Sequence, residues 1–221
     1  MRYKTIKRMI DIILSFVGMI VLSPLFTCIA VAIKIDSRGP ILFRQKRVGI
    51  NKTYFEILKF RTMQIDTPKD TPTHLLKNPE QYITKMGKFL RKTSLDELPQ
   101  IWNIFVGQLS IIGPRPALWN QHDLIAERDK YGANNLIPGL TGWAQINGRD
   151  ELSIEAKAKL DGEYVQRMGF AFDARCFWGT VRSVFRNDGV VEGGTGTLEQ
   201  KQIADSKSNQ QEDANRETIS R

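Results

Sequence analysis

From Ile12 to Ile33 the chain carries no charged side chain, a run long enough to cross a hydrocarbon core as a helix. It continues into Lys34-Ile35-Asp36 and has no small-residue cleavage site after a short apolar core, so removal as a signal peptide is not expected. Arg2, Lys4, Lys7 and Arg8 precede the run, and Lys34, Arg38, Arg44, Lys46 and Arg47 follow it. Both flanks therefore claim the cytoplasmic side. Ser23-Pro24 stands mid-run, where proline removes a helical hydrogen bond and bends the rod. A hairpin that enters and returns on one membrane face satisfies both facts, and a straight or kinked spanning helix is the alternative. Carbonyls freed near residue 20 would need cover from Ser23 or from the protein body, because lipid offers none.

The remainder has ordinary globular composition, 41% hydrophobic and 25% charged, which excludes collagenous, wholly disordered and disulfide-stapled classes. A net charge of +8 suits anionic lipid, phosphorylated metabolites or nucleic acid without choosing among them. Two cysteines, Cys28 and Cys176, cannot build a disulfide framework or a Cys-rich zinc site. His74 and His122 lack zinc-site spacing and read as solvated side chains.

Three segments follow: a membrane hairpin over 1–36, a catalytic domain over 37–196, and a polar tail over 197–221 that reads as disordered. The expected class is α+β, short helices around a small β-hairpin, with interfacial amphipathic helices. Pro40 to Met63 reads as that hairpin, turning at Gly49-Ile50-Asn51-Lys52. On its second strand Phe55, Ile57, Lys59, Arg61 and Met63 share one side, so Lys59 and Arg61 point together. They would contact an anion or, alternatively, form a solvated face. Residues 64–81 are polar with three prolines and suggest a loop or lid. From Phe172 to Arg186, Phe177, Trp178, Val181, Val184 and Phe185 fall near one helix side, with Arg175, Arg182 and Arg186 available to the other. Such a helix can lie among lipid headgroups, or face the core.

Ser94-Leu95-Asp96-Glu97 has the form of a capping box. Pro99 interferes with a regular first turn, so Asp96 and Glu97 at a strained helix entry is the competing reading. Either leaves adjacent carboxylates near helix-start amides, with Arg91 and Lys92 close by, a place where phosphate would be welcome. Asp96 could then attack phosphorus, and Glu97 could hold magnesium or accept a proton. Gly113-Pro114-Arg115-Pro116 either presents a pre-ordered guanidinium or makes a rigid turn. Residues 138–149, PGLTGWAQINGR, combine close backbone approach with polar groups but match no P-loop.

These pieces together resemble the bacterial sugar transferases, the monotopic polyprenyl-phosphate phosphoglycosyl transferases. The matching blocks run in order over about residues 6–190: Lys7-Arg8 with Asp11, Ser23-Pro24, Gly39-Pro40 with Phe43-Arg44-Gln45, Lys59 to Met63, Ser94 to Gln100, Gly113 to Pro116, and Pro138 to Trp143. The resemblance implies a re-entrant helix bent at Ser23 and Pro24 and a site on the cytoplasmic face of the bacterial inner membrane. Asp96 would be the nucleophile that attacks a UDP-sugar, releases UMP and passes the phosphosugar to undecaprenyl phosphate. Mg2+ is the implied cofactor, with Asp96 and Glu97 as metal-binding candidates. Lys59, Arg61, Arg91 and Arg115 become candidates for substrate contacts, with Lys7 and Arg8 at the lipid headgroup. Asp161 and Asp173 belong to later family-like segments without an assigned role.

Two departures stand out: Gln108 occupies a position where the family frequently has an acidic residue, and Gln81-Tyr82 stands where Asp-x-Arg is common. The short length reads as a minimal catalytic version. Expected partners are a UDP-sugar, undecaprenyl phosphate and membrane lipid, without nucleic acid; a homo-oligomer is left open. A membrane-tethered binding module and a catalytically idle anchor are the other classes, and the carboxylate pair and the ordered blocks speak against both.

Overall fold

The apolar run folds as two helices, α1 (Arg2–Val21) and α2 (Ser23–Asp36), bent by 61° at Leu22. The computed structural model describes residues 2–67, 79–148 and 152–186; the expected lid over 64–81 falls largely outside them, as do Arg149, His74 and the whole polar tail. Pro24 sits in the first turn of α2, where its missing N–H costs nothing. The carbonyl of Ile20 that a residue-24 amide would have bonded is instead taken by Ser23 Oγ at 2.8 Å. Serine and proline thus act as a pair: one makes the break and the other covers it. Among the described residues no single helix is long and apolar enough to cross a membrane.

One face of α1 is built into the protein. Asp11 and Ser15 are buried there, Asp11 accepting bonds from Ser110 Oγ (2.7 Å) and the Ile111 amide (3.0 Å). The other face exposes Ile13, Phe16, Val17 and Ile20, and Val21 is 68% exposed at the bend. α2 buries Ile29 and Ile33 against Phe60 and Leu90.

The hairpin forms as the alternation predicts, β1 (Leu42–Val48) antiparallel to β2 (Tyr54–Phe60), with Phe43 opposite Lys59. Asn51 and Lys52 take left-handed backbone angles to close the turn. After the hairpin come α3 (Lys85–Lys92), a 3-10 turn (Leu95–Glu97), α4 (Gln100–Val106) and β3 (Ser110–Ile112). Then follow α5 (His122–Asp129), β4 (Gly139–Thr141), α6 (Trp143–Ile146), α7 (Ile154–Arg167) and α8 (Phe170–Arg186).

β3 and β4 pair in parallel, an element the sequence reading did not anticipate. Their approach is so close that a Cβ on Gly139 would lie 2.1 Å from the Gly113 amide nitrogen. Glycine is required there by space. A core cluster of Ile112, Leu136, Tyr164, Phe172 and Cys176 seats this small sheet against α7 and α8.

α8 is amphipathic, but its core face is Phe172, Asp173 and Cys176. Phe177 and Trp178 are 45% and 67% exposed, which overturns the core-facing alternative for those two aromatics.

Candidate active site

The hinge of the site is Ser94, held in the left-handed region at φ 56°. Its side chain caps nothing, so the capping-box reading fails and the strained-entry reading describes the turn. The turn sends Asp96 and Glu97 toward the end of β2. Pro99 follows in helical conformation and leads into α4.

Lys59 projects from β2 on the face that also carries the buried Phe55 and Ile57. Its Nζ lies 2.7 Å from Glu97 Oε1 and 4.0 Å from Asp96 Oδ2. Arg115, stiffened by the prolines on either side, donates from Nη2 to Glu97 Oε1 at 2.6 Å and from Nη1 to Oε2 at 3.4 Å. Nη1 also reaches the Leu140 carbonyl at 3.3 Å, fixing the guanidinium against β4. Arg91, in the last turn of α3, donates from Nε to Thr62 Oγ1 at 2.9 Å and acts electrostatically on Asp96. A Cβ on Gly87 would lie 2.0 Å from the Thr62 carbonyl oxygen, so α3 presses directly on the chain leaving β2.

The two carboxyls have opposite environments. Burial pushes Asp96 above the ordinary aspartate range; Lys59 pulls it down, Glu97 pushes it up, and burial prevails. Burial also acts on Glu97, but there the Arg115 guanidinium and the Lys59 ammonium outweigh it and hold the carboxyl well below the usual range. Glu97 is therefore a fixed anion that orders two cations. Asp96 is the carboxylate whose charge is less compensated.

Among the described residues no group of three His, Cys, Asp or Glu side chains could hold a metal ion. Magnesium does not require such a group: it keeps much of its water and is commonly bound by one or two carboxylates together with substrate phosphates. Asp96 fits this role better than Glu97, whose oxygens face Lys59 and Arg115.

Of the expected site residues, Asp96, Glu97, Lys59, Arg91 and Arg115 come together, and three others are placed elsewhere. Arg61 is buried and turned away, donating to the carbonyls of Ser37 (2.7 Å) and Arg38 (2.8 Å) and to Ser37 Oγ. The period-two argument stops at Phe60, where β2 ends, so Lys59 and Arg61 do not point together. Lys7 pairs with Asp173 at 2.5 Å, and Asp173 also accepts from Tyr3 and Tyr164. Arg8 donates to the carbonyls of Ile104 and Phe105, at the end of α4. Both lock α1 onto the protein body. Asp161 forms a buried pair with Arg128 at 2.6 Å.

Sequence reasoning missed Thr62, which orients Arg91, and Asn103, whose amide fastens α4 to β2. The available signal for Asn103 was Gln100 and Asn103 at helical i, i+3 spacing inside the otherwise apolar QIWNIFV. Both are buried.

The profile of the family described as bacterial sugar transferase matches residues 2–187. The chain is 36% identical over 197 residues to the UDP-glucose:undecaprenyl-phosphate glucose-1-phosphate transferase of Escherichia coli K12, covering 83% of this chain and 41% of that protein. It is 37% identical to the undecaprenyl-phosphate glucose phosphotransferase of Komagataeibacter xylinus, covering 80% and 35%. With the uncharacterized sugar transferase EpsL of Bacillus subtilis it shares 41% identity, covering 76% and 80%. The chain thus spans about two fifths or less of the first two relatives and four fifths of the third.

Proposed function

The chain belongs to the bacterial sugar transferase family, and from that premise we propose that it moves a phosphosugar from a UDP-sugar to undecaprenyl phosphate. The observation that carries this reading is a partly buried aspartate beside a glutamate already neutralised by Lys59 and Arg115, with Arg91 close enough to bias it. Such a site supplies a nucleophile and a cationic surround for phosphate without a competing free carboxylate.

In the first half-reaction an Asp96 oxygen forms a bond to the β-phosphorus and the bridging oxygen departs with UMP. In the second, an oxygen of undecaprenyl phosphate attacks the aspartyl phosphorus, forming the diphosphate and returning the carboxylate. Arg91 and Arg115 bind phosphate oxygens, while Lys59 holds Glu97 and stands 4.0 Å from the nucleophile. Magnesium bound at Asp96 and the substrate phosphates would neutralise developing charge.

The membrane reading rests on the bent apolar pair and on exposed Ile13, Ile20, Val21, Phe170 and Trp178. We place the protein on the cytoplasmic face of the inner membrane, where a water-soluble nucleotide sugar and a lipid phosphate meet. The names of the relatives make UDP-glucose the first donor to try, with UDP-linked N-acetylated hexoses alongside.

Purified protein is incubated with Mg2+ and each UDP-sugar without lipid, then weighed intact by mass spectrometry. A phosphosugar adduct mapped to Asp96 is the expected result. Continued UMP release by Asp96→Asn would overturn the assignment.

A further inference from the structure

The side chain of Asn103 lies against the edge of β2 that does not face β1. Its Oδ1 accepts from the Leu58 amide at 3.0 Å and its Nδ2 donates to the Glu56 carbonyl at 2.8 Å. One amide thus satisfies a strand N–H and a strand C=O two residues apart, as the N–H and C=O of one residue in a parallel third strand would. Asn103 is buried, and its Nδ2 is also held by Gln108 Oε1 at 2.7 Å.

The two elements joined by this amide are those that must be in register for the site to exist. Leu58 is the immediate neighbour of Lys59, and α4 begins three residues after Glu97. We infer that Asn103 is the positioning residue that sets Lys59 against the Asp96–Glu97 turn, with Gln108 orienting its amide. This rests on the reading of Asp96 and Glu97 as the reacting centre. Asn103 is not a catalytic residue, because it contacts the backbone of β2. Leucine at this position keeps the branched shape but removes all three bonds.

The full-length protein is compared as wild type, Asn103→Leu, Gln108→Ala and Leu124→Ala, the last a core truncation in a separate cluster around Val48 and Ala117. UMP release is followed with Mg2+ and the accepted UDP-sugar, and the Lys59–Glu97 contact is followed by proton NOEs between the two side chains, a readout independent of the reaction. Asn103→Leu is expected to lower kcat about 10- to 100-fold with little change in KM. It should also weaken the Lys59–Glu97 NOEs as Lys59 retreats. Gln108→Ala should do both to a smaller degree, and Leu124→Ala should lower Tm while leaving kcat and the NOEs in place. A folded Asn103→Leu protein with unchanged kcat and NOEs overturns the inference, as does the same pair of changes in Leu124→Ala. Should Asn103→Leu not fold, an unaltered Gln108→Ala protein overturns it. A wild type that releases no UMP refutes the proposed function, and the NOEs still decide the role of Asn103.

Discussion

Lys59 Nζ stands 2.7 Å from Glu97 Oε1, while the next carboxylate in the chain, Asp96, lies 4.0 Å from the same nitrogen. That difference divides the labour of the pair. Glu97 receives the strong charge-assisted bond and orders the cations; Asp96 is left partly compensated, the condition that the proposed attack on phosphorus requires.

The rate of aspartyl attack should fall with decreasing pH at a higher pH than an ordinary aspartate would give. Burial raises the Asp96 pKa, and only the carboxylate form is nucleophilic. Lys59 is the largest influence holding that pKa down. Lys59→Met should therefore move the acid limb further toward neutrality, as measured by UMP release across pH. An unmoved limb would show that Lys59 does not act on Asp96.

Glu97→Gln should cost about 1–2 kcal/mol of stability at neutral pH, since it weakens bonds to two partly buried cations. The Glu97 pKa is depressed in the folded protein, so its contribution is present above the unfolded value of 4.5 and is lost as pH falls below it. Denaturant titrations of the two proteins should differ at pH 7, and the gap should narrow progressively as pH falls below 4.5. A constant gap would contradict the ion-pair account.

Arg61→Lys should destabilise the protein by about 1–3 kcal/mol by removing bonds to Ser37 and the Arg38 carbonyl, while the KM for nucleotide sugar stays near wild type. Thermal melts alongside saturation curves check this. A selective rise in KM with unchanged Tm would restore Arg61 to the substrate site.

Asp11→Leu should lower stability by about 2–4 kcal/mol, because the Ser110 hydroxyl and Ile111 amide lose their shared acceptor in a buried place. Denaturant unfolding in detergent measures the loss.

For the membrane hairpin, cysteines placed at Lys4 and Ile50 should label from the same side of sealed vesicles. Opposite sidedness would replace the re-entrant reading with a spanning helix.

The amino-acid sequence alone determined the features that depend on neighbours in the chain. Proline within an unbroken apolar run dictates a bend, Ser23 can reach only nearby carbonyls, and alternation around a turn dictates the β1–β2 hairpin. The ordered blocks also carried the family, and chain adjacency alone placed Asp96 beside Glu97. Tertiary structure alone decided which cations meet that centre. Lys59 and Arg61 are two residues apart and both cationic, yet the strand ends at Phe60 and only Lys59 faces Glu97. Lys7 and Arg8, suited by charge to a headgroup, instead meet Asp173 and the end of α4. The Asn103 contacts with β2 and the parallel β3–β4 pair escaped the sequence reading for the same reason: each joins segments distant along the chain, and the bond exists only once packing has brought them to within about 3 Å.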